Sequence, residues 1–224
     1  MTAQAGSTPS NHNLPSSDSV ADRRERSRIR KALRQARRAL DEEKRAVGER
    51  AICRRIVSLG AYRQARTLAI YYAFDGEPSV ARVAEDAARH GKRVYAPVIV
   101  RQQMFFAPVT PGARLKSNVF GIAEPALEQL IDARHLDLVL APLVGFDERG
   151  VRMGMGRGYY DRAFRFLRHR RSWPRPKLLG VAWSFQQVPV LPKQPWDVPL
   201  WGAVTENAFH RFAERTSEAL APEV

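Results

Sequence analysis

The sequence has little cysteine and no long apolar run. Cys53 is the single cysteine among 224 residues, which excludes a disulfide framework and a cysteine-based metal cluster. No apolar run approaches the roughly 18 residues typical of a transmembrane helix. The N-terminus is polar and lacks the apolar stretch of a secretory signal. We therefore expect a cytoplasmic protein that does not enter a membrane.

Three common catalytic motifs are also absent. The sequence contains no G-x-x-x-x-G-K-[ST], no G-x-S-x-G and no H-E-x-x-H, and its five histidines are scattered. A P-loop, a serine-hydrolase nucleophile and a helical zinc site are therefore not expected. Cys53 falls within a predicted helix without an evident base, so covalent catalysis has no candidate residue.

Acidic residues are scarce relative to basic ones. The chain has 37 Lys and Arg against 23 Asp and Glu, a net charge of +14. Residues 22–66 alone hold 16 Lys and Arg against six Asp and Glu. This surplus indicates either the solvated face of amphipathic helices or a surface that attracts anionic ligands or nucleic acid. Charge alone does not distinguish these interpretations.

Composition predicts one folded domain with a tail at each end. Apolar residues make up 44% of the chain, enough for a buried core. Residues 1–21 are rich in Ser, Pro, Asn and Ala and are predicted to be a disordered N-terminal tail. Residues 22–212 are predicted to form the domain, and residues 213–224 a C-terminal tail.

Within the domain, helical and strand patterns alternate. Helices are predicted from about Arg23 to Leu40, over residues 42–59 with Gly60 as the stop, from Ser79 to His90, and over residues 159–168. Strands are predicted over residues 67–74, 93–100, 104–108, 137–144, 178–183 and 203–205. In the first helix, the inner face is predicted to carry Ile29, Leu33, Ala36 and Leu40. The pattern predicts an α/β fold with a mostly parallel sheet and helices on both faces.

The segment 143–162, LVGFDERGVRMGMGRGYYDR, is the strongest functional feature. Glycines at alternate positions leave backbone N–H groups free to face a ligand, and arginines beside them suit a polyphosphate. A flexible strand-to-helix connection is the alternative. Because ligands of parallel sheets lie beyond the carboxyl ends of the strands, we expect this loop to share a cleft with Glu77.

Carboxylates near this loop have two interpretations each. Asp161 could hold Mg²⁺ or could be an ordinary acid in the first turn of a helix. Asp197, in the sequence PWDVPLW, could be a second metal ligand or a turn residue. Glu77 could contact a ligand or lie exposed in a turn. Tyr72 could pack in the core or flank a flat ligand.

The ordered motifs resemble the 5-formyltetrahydrofolate cyclo-ligase family, also called 5,10-methenyltetrahydrofolate synthetases. The resemblance covers residues 28–206. Its segments are, in order, RKALRQARR, AIYYAFDGEPS, KRVYAPVI, MFFAPV, GIAEP, APLVGFDERGVRMGMGRGYYDR, VAWSFQQ and WDVPLWGAVTE. The resemblance implies a three-layer α/β/α fold of the sugar-isomerase and CoA-transferase type.

The implied reaction is ATP- and Mg²⁺-dependent closure of 5-formyltetrahydrofolate to 5,10-methenyltetrahydrofolate, with release of ADP and phosphate. In the family, the formyl oxygen is thought to attack the γ-phosphate, and N10 of the folate then displaces the phosphate. Such chemistry depends on positioning and charge neutralisation rather than on a protein nucleophile. The implied partners are small molecules, not nucleic acid, and the implied state is a monomer.

The resemblance also implies roles for individual residues. The nucleotide ligands would be Arg30, Lys31, Ala32, Leu33, Arg34, Arg152, Met153, Gly154, Met155, Gly156, Arg157, Gly158, Tyr159 and Tyr160. The folate ligands would be Tyr72, Glu77, Met155, Gly156, Arg157, Gly158 and Tyr159. Arg152 and Arg157 would be catalytic, and Asp161 and Asp197 would bind the metal. Gln186 matches a family glutamine without an assigned role, and Trp201 replaces an Asp found in many members.

Two other functions remain open at this level. An RNA-binding module could use the basic region 23–66, which predicts salt-dependent affinity for RNA. A folate-binding relative without turnover would have the same motifs but no catalysis.

Overall fold

A computed structural model describes residues 17–212, except 111, 113, 114, 118–120, 126, 128 and 169–174 and the side chains of 17–19. The helices are α1 (Ser17–Ala39), α2 (Glu42–Ser58), α3 (Gly60–Gln64), α4 (Ala81–Arg89) and α5 (Tyr159–Ala163). The strands are β1 (Thr67–Ala69), β2 (Arg93–Val100), β3 (Gln103–Pro108), β4 (Lys116–Ser117), β5 (Ala123–Glu124), β6 (Leu138–Pro142), β7 (Gly145–Phe146), β8 (Arg152–Met153), β9 (Lys177–Val181), β10 (Gly202–Val204) and β11 (Phe209–Arg211). Short 3-10 helices cover Ala133–His135, Arg165–Arg168 and Ser184–Gln186.

Seven strands form the central sheet in the order β11-β10-β9-β6-β1-β2-β3. The five inner strands, from β10 to β2, pair in parallel. The edge strands β11 and β3 are antiparallel to their neighbours. The outer side of β3 is covered, because Phe106 exchanges two backbone hydrogen bonds with Ile131, at 3.0 and 2.9 Å.

Helices cover both faces of this sheet, which confirms the predicted α/β fold. Alternate residues of a strand face opposite sides, so in β6 Leu138 and Leu140 join one core while Val139 joins the other. The first core includes side chains from α2, α3 and α4, and the second includes Phe164, which follows α5. Among the described residues, no helix is both long and apolar enough to cross a membrane.

The first helix differs from its prediction in two ways. It begins at Ser17, within the segment 1–21 predicted as a tail, because the stretch after Ser19 continues without a helix breaker. Residues 1–16 and the predicted C-terminal tail 213–224 lie outside the described residues. The prediction that Ala36 faces inward is wrong: Ala36 is exposed, and the neighbouring Arg37 is fully buried because it has charged and polar partners inside the protein.

Two further elements are shorter than predicted. The strand over residues 67–74 ends at Ala69, since the chain then bends towards a turn in which Asp75 and Gly76 both have positive φ angles. The helix over residues 159–168 consists of the five-residue α5 followed by a 3-10 turn. The prediction that Gly60 stops the second helix is wrong: α2 ends at Ser58 with Leu59 as its C-cap, because Leu59 has extended backbone angles, and Gly60 begins α3, which the sequence did not predict.

Candidate active site

Three loops meet at the carboxyl ends of the parallel strands. They follow β1, β6 and β9, as the rule for parallel sheets predicts. The Trp183 indole N–H donates to the Gly76 carbonyl at 3.0 Å, which joins the third loop to the first. The Gln186 amide donates to the carbonyls of Leu143 and Val144, at 3.0 and 2.9 Å, which joins the third loop to the second. Gln186 is fully buried, so it serves as a structural tie.

Helix α1 lies across these loops and contacts them through one face of arginines. Arg26, Arg30, Arg34 and Arg37 are spaced by four, four and three residues, which places them on one side of a helix. Arg30 donates to the Gly154 carbonyl at 3.0 Å, and Arg34 donates to Asp75 at 2.8 Å. These four side chains therefore face the protein, whereas ten of the 16 basic residues in 22–66 are exposed.

Asp75 is the anchor for this helix. Its carboxylate accepts hydrogen bonds from Arg34 and Arg37, both at 2.8 Å, and from Arg38. Burial tends to raise the pKa of Asp75, but the hydrogen bonds from the three arginines outweigh it and lower this pKa to about 2. The fully buried Arg37 also donates to the backbone carbonyls of Asp75 and Leu143, at 2.7 and 3.2 Å.

Glu77 lies in the same turn and is 8% exposed. Burial raises the pKa of its carboxyl to about 7, although the guanidinium of Arg37, 3.6 Å away, opposes the increase. The Phe74 N–H donates to this carboxyl at 3.1 Å. The interpretation of Glu77 as an exposed turn acid is therefore wrong. A cavity of about 500 Å³ borders Glu77 and is also lined by Arg38, Arg45 and Phe74.

The glycine-rich segment begins as a hairpin of β7 and β8 and continues as an exposed loop. The buried Asp147 shapes the hairpin turn, since its carboxylate accepts from the N–H groups of Arg149, Val151 and Leu191. In the loop, Gly156 and Gly158 have φ angles of +96° and +65°, a region that favours glycine. Gly156, Met155 and Arg157 are exposed, so this part of the loop is accessible to a ligand.

Arg152 lies beneath the loop rather than within it. It is 4% exposed and forms a 2.6 Å ion pair with Asp161. Its guanidinium also lies 5.2 Å from the centre of the Tyr160 ring. The Nε atom of Arg152 is buried and has no hydrogen-bond partner. Buried polar groups in proteins normally have a hydrogen-bond partner, so this N–H is able to donate to a water or a ligand.

The two predicted metal ligands are each held by an arginine. Asp161 pairs with Arg152, and Asp197 pairs with Arg26 at 3.0 Å. The N–H of Val198, the residue after Asp197, donates to Asp161 at 3.3 Å, so the two segments are adjacent. Among the described residues, no three His, Cys, Asp or Glu side chains cluster as a metal site. Two carboxylates suit Mg²⁺ that arrives with phosphate and water ligands.

The remaining predicted ligands have different environments. Lys31 and Ala32 are exposed on α1, whereas Leu33 packs against the buried cluster that includes Met153. Tyr72 and Tyr159 are half-buried. Burial raises the pKa of the Tyr160 hydroxyl, and the nearby Glu77 adds to this effect. Trp201 packs against Phe209, with Lys177 and Arg211 over its ring.

Arg26, Arg37, Asp75 and Asp147 were not predicted as site residues. Arg26 lies four residues before Arg30 and Arg37 three residues after Arg34, so helical spacing could have placed them on the same face. For Asp75 the sequence indicated only a turn, and the number of arginines that share it depends on the tertiary structure.

Comparison with known proteins shows the family of this chain. Residues 22–206 match the model of the 5-formyltetrahydrofolate cyclo-ligase family. The chain is 34% identical to the 5-formyltetrahydrofolate cyclo-ligase of Haemophilus influenzae, over 79% of this chain and 95% of that protein. It is 36% identical to the enzyme of that name from Escherichia coli strain K12, over 78% of this chain and 97% of that protein. The NMR structure of Aquifex aeolicus 5,10-methenyltetrahydrofolate synthetase superposes with a TM-score of 0.73 at 28% identity, covering 86% of this chain and 95% of that one. The chain belongs to the 5-formyltetrahydrofolate cyclo-ligase family.

Proposed function

We propose that this protein catalyses the ATP-dependent closure of 5-formyltetrahydrofolate to 5,10-methenyltetrahydrofolate. One observation carries the proposal. The Arg30 side chain of α1 contacts the Gly154 carbonyl of the glycine-rich loop, so the two segments that the family resemblance assigns to the nucleotide lie together. Glu77, which the resemblance assigns to the folate, lies in a loop that the same helix contacts through Arg34 and Arg37.

In the proposed reaction, the formyl oxygen on N5 attacks the γ-phosphorus of ATP, and the bond from that phosphorus to the ADP oxygen breaks. The resulting imidate phosphate carries an activated carbon. N10 attacks this carbon and loses its proton, and inorganic phosphate leaves. No step needs a protein nucleophile, in agreement with the absence of such a residue from the sequence.

The protein's contribution is orientation and charge compensation. The exposed backbone at Met155, Gly156 and Arg157 suits the polyphosphate, because a nest of N–H groups stabilises negative charge. Arg152 and Arg157 would neutralise the charge that moves to the transferred phosphoryl group. Glu77, with a pKa of about 7, is able to donate or accept a hydrogen bond at the pterin. Asp161 and Asp197 would hold Mg²⁺, which when bound offsets charge on the phosphate oxygens.

A spectroscopic assay tests the proposal. We expect the absorbance of methenyltetrahydrofolate to rise only when 5-formyltetrahydrofolate, ATP and Mg²⁺ are all present. Asp161→Asn should reduce turnover far more than folate affinity, measured by equilibrium binding. Folded protein that forms no product would contradict the activity and favour a folate-binding protein without turnover. An unchanged rate for Asp161→Asn would contradict its role as a metal ligand.

We also propose that the enzyme works in the cytoplasm as a monomer. The single half-buried Cys53 supports a reducing compartment. Sedimentation of the full chain would test the monomer, and a dimer at micromolar concentration would contradict it.

A further inference from the structure

Arg26 forms a largely buried ion pair inside the candidate active site. Its Nη1 atom lies 3.0 Å from Oδ2 of Asp197, and the two side chains are only 12% and 5% exposed. The same nitrogen donates to the Pro192 carbonyl, and the Gln194 N–H donates to the same carboxylate oxygen at 2.9 Å. Arg26 therefore connects the loop around Asp197 to the first half of α1.

Arg26 is also one of three neighbouring positive charges. Burial lowers the pKa of Arg30, and repulsion from Arg26 and Arg34 lowers it further. Arg34 pairs with Asp75, which it shares with two other arginines, and Arg30 donates to a neutral carbonyl, that of Gly154. Positive charge thus accumulates between Asp197 and the glycine-rich loop, where it favours an anion.

The two possible partners of the Asp197 carboxylate, the Arg26 guanidinium and a divalent cation, exclude one another. A divalent cation bound to this carboxylate would stand within a few ångströms of the Arg26 guanidinium, and like charges at that distance repel strongly when water is excluded. If Arg26 leaves Asp197, it needs another anionic partner, because an unpaired buried charge is costly. Phosphate oxygens meet that need, since the planar guanidinium forms paired hydrogen bonds to phosphate.

We propose that Arg26 is the counter-ion of Asp197 in the free protein and transfers to the nucleotide phosphates when the cation–nucleotide complex binds. This exchange rests on the proposed function, which assigns the cation to Asp197. Arg152 and Asp161 form a second pair of the same kind. The exchange makes the first half of α1 part of the nucleotide site and delays cation binding until the nucleotide is present.

The test compares two arginines of the same helix in the full-length protein. Arg26→Gln removes the counter-ion, whereas Arg28→Gln is the matched control, because Arg28 is exposed and pairs only locally with Glu25. Mn²⁺ affinity is measured by electron paramagnetic resonance, without nucleotide and with a non-hydrolysable ATP analogue. We expect Arg26→Gln to bind Mn²⁺ alone about tenfold more tightly than wild type, and the Mn²⁺–analogue complex about tenfold more weakly. Arg28→Gln should change neither affinity.

A third variant, Arg26→Lys, guards against a folding defect. The lysine keeps a positive charge beside Asp197 but lacks the planar guanidinium, so Mn²⁺ affinity without nucleotide should stay near the wild-type value. Unchanged or weaker Mn²⁺ affinity in Arg26→Gln, or unchanged affinity for the complex, would overturn the exchange. The failure of the proposed function has a different signature, which is a wild-type protein that binds the complex but makes no methenyltetrahydrofolate.

Discussion

At the scale of single residues, the acids of the site differ more in environment than in type. Asp75 and Glu77 are two positions apart, yet the pKa of Asp75 is lowered to about 2 and that of Glu77 is raised to about 7. Burial tends to raise the pKa of both carboxyls, and only at Asp75 do hydrogen bonds from arginines reverse this effect. Three donate to Asp75, whereas Arg37 approaches Glu77 only at 3.6 Å. The sequence predicted a turn here but not this difference, because the arginines come from a distant helix.

Glu77 should therefore make stability depend on pH. Its pKa is about 7 in the folded protein against an ordinary 4.5. A carboxyl with a raised pKa contributes stability below its unfolded pKa and loses it as pH rises towards the folded value. The free energy of unfolding of wild type should therefore fall between pH 5 and pH 8, whereas that of Glu77→Gln should not. We expect the difference between the two proteins to change by about 2 kcal/mol in favour of Glu77→Gln, measured by urea unfolding at both pH values. The exposed Glu148→Gln should show no such trend, and a constant difference for Glu77→Gln would contradict the raised pKa.

At the scale of elements, the glycine-rich segment combines a predictable strand with an unpredicted hairpin. The buried strand β6 was predicted from its apolar run, and it lies in the centre of the sheet. The hairpin of β7 and β8 was not predicted, because its turn depends on Asp147, which also binds the distant Leu191 N–H. The role of the loop in ligand binding stays a prediction from its glycines and arginines. The loop's position beside Arg30 could not be predicted, since that contact joins residues far apart in sequence.

The glycines of this loop should differ in what they tolerate. Gly158 has a φ angle of +65°, and a Cβ atom there would lie 3.1 Å from Arg162 Nη1. At Gly154 a Cβ atom would approach only Arg152 Nη1, at 3.8 Å. We expect Gly158→Ala to cost about 1 to 2 kcal/mol of unfolding free energy, with Gly154→Ala nearly neutral, measured by urea unfolding. Equal effects would indicate that backbone conformation does not distinguish the two positions.

At the scale of the whole molecule, α1 is attached to the rest of the protein mainly through charge. Its inner face carries four arginines, and the apolar contacts of Ile29 and Leu33 are with a small cluster beneath the loop. The composition predicted a basic region and left its partner open. The structure shows that the four arginines of this inner face have partners within the protein, which argues against RNA binding by that face. Ten of the 16 basic residues in 22–66 are exposed elsewhere.

Asp75 should consequently control how firmly α1 is held. Asp75→Asn removes the nearer of the two carboxylates beside the buried Arg37, at 2.8 Å, and leaves Glu77 at 3.6 Å. Breaking such a buried pair costs about 3 to 5 kcal/mol. Urea unfolding should show this loss, and hydrogen exchange should show reduced protection of α1 amides. Asp132→Asn is the control, since Asp132 pairs with Arg134 at an exposed position. A loss below 1 kcal/mol, with α1 protection unchanged, would show that apolar contacts alone hold the helix.

The edges of the sheet have a consequence for self-association. A free strand edge offers unpaired N–H and C=O groups to another copy of the chain and promotes aggregation. Here one edge strand, β11, has three residues, and the other, β3, has the backbone groups of Phe106 already bonded to Ile131. Copies of the protein therefore have little backbone to pair with by adding strands to the sheet.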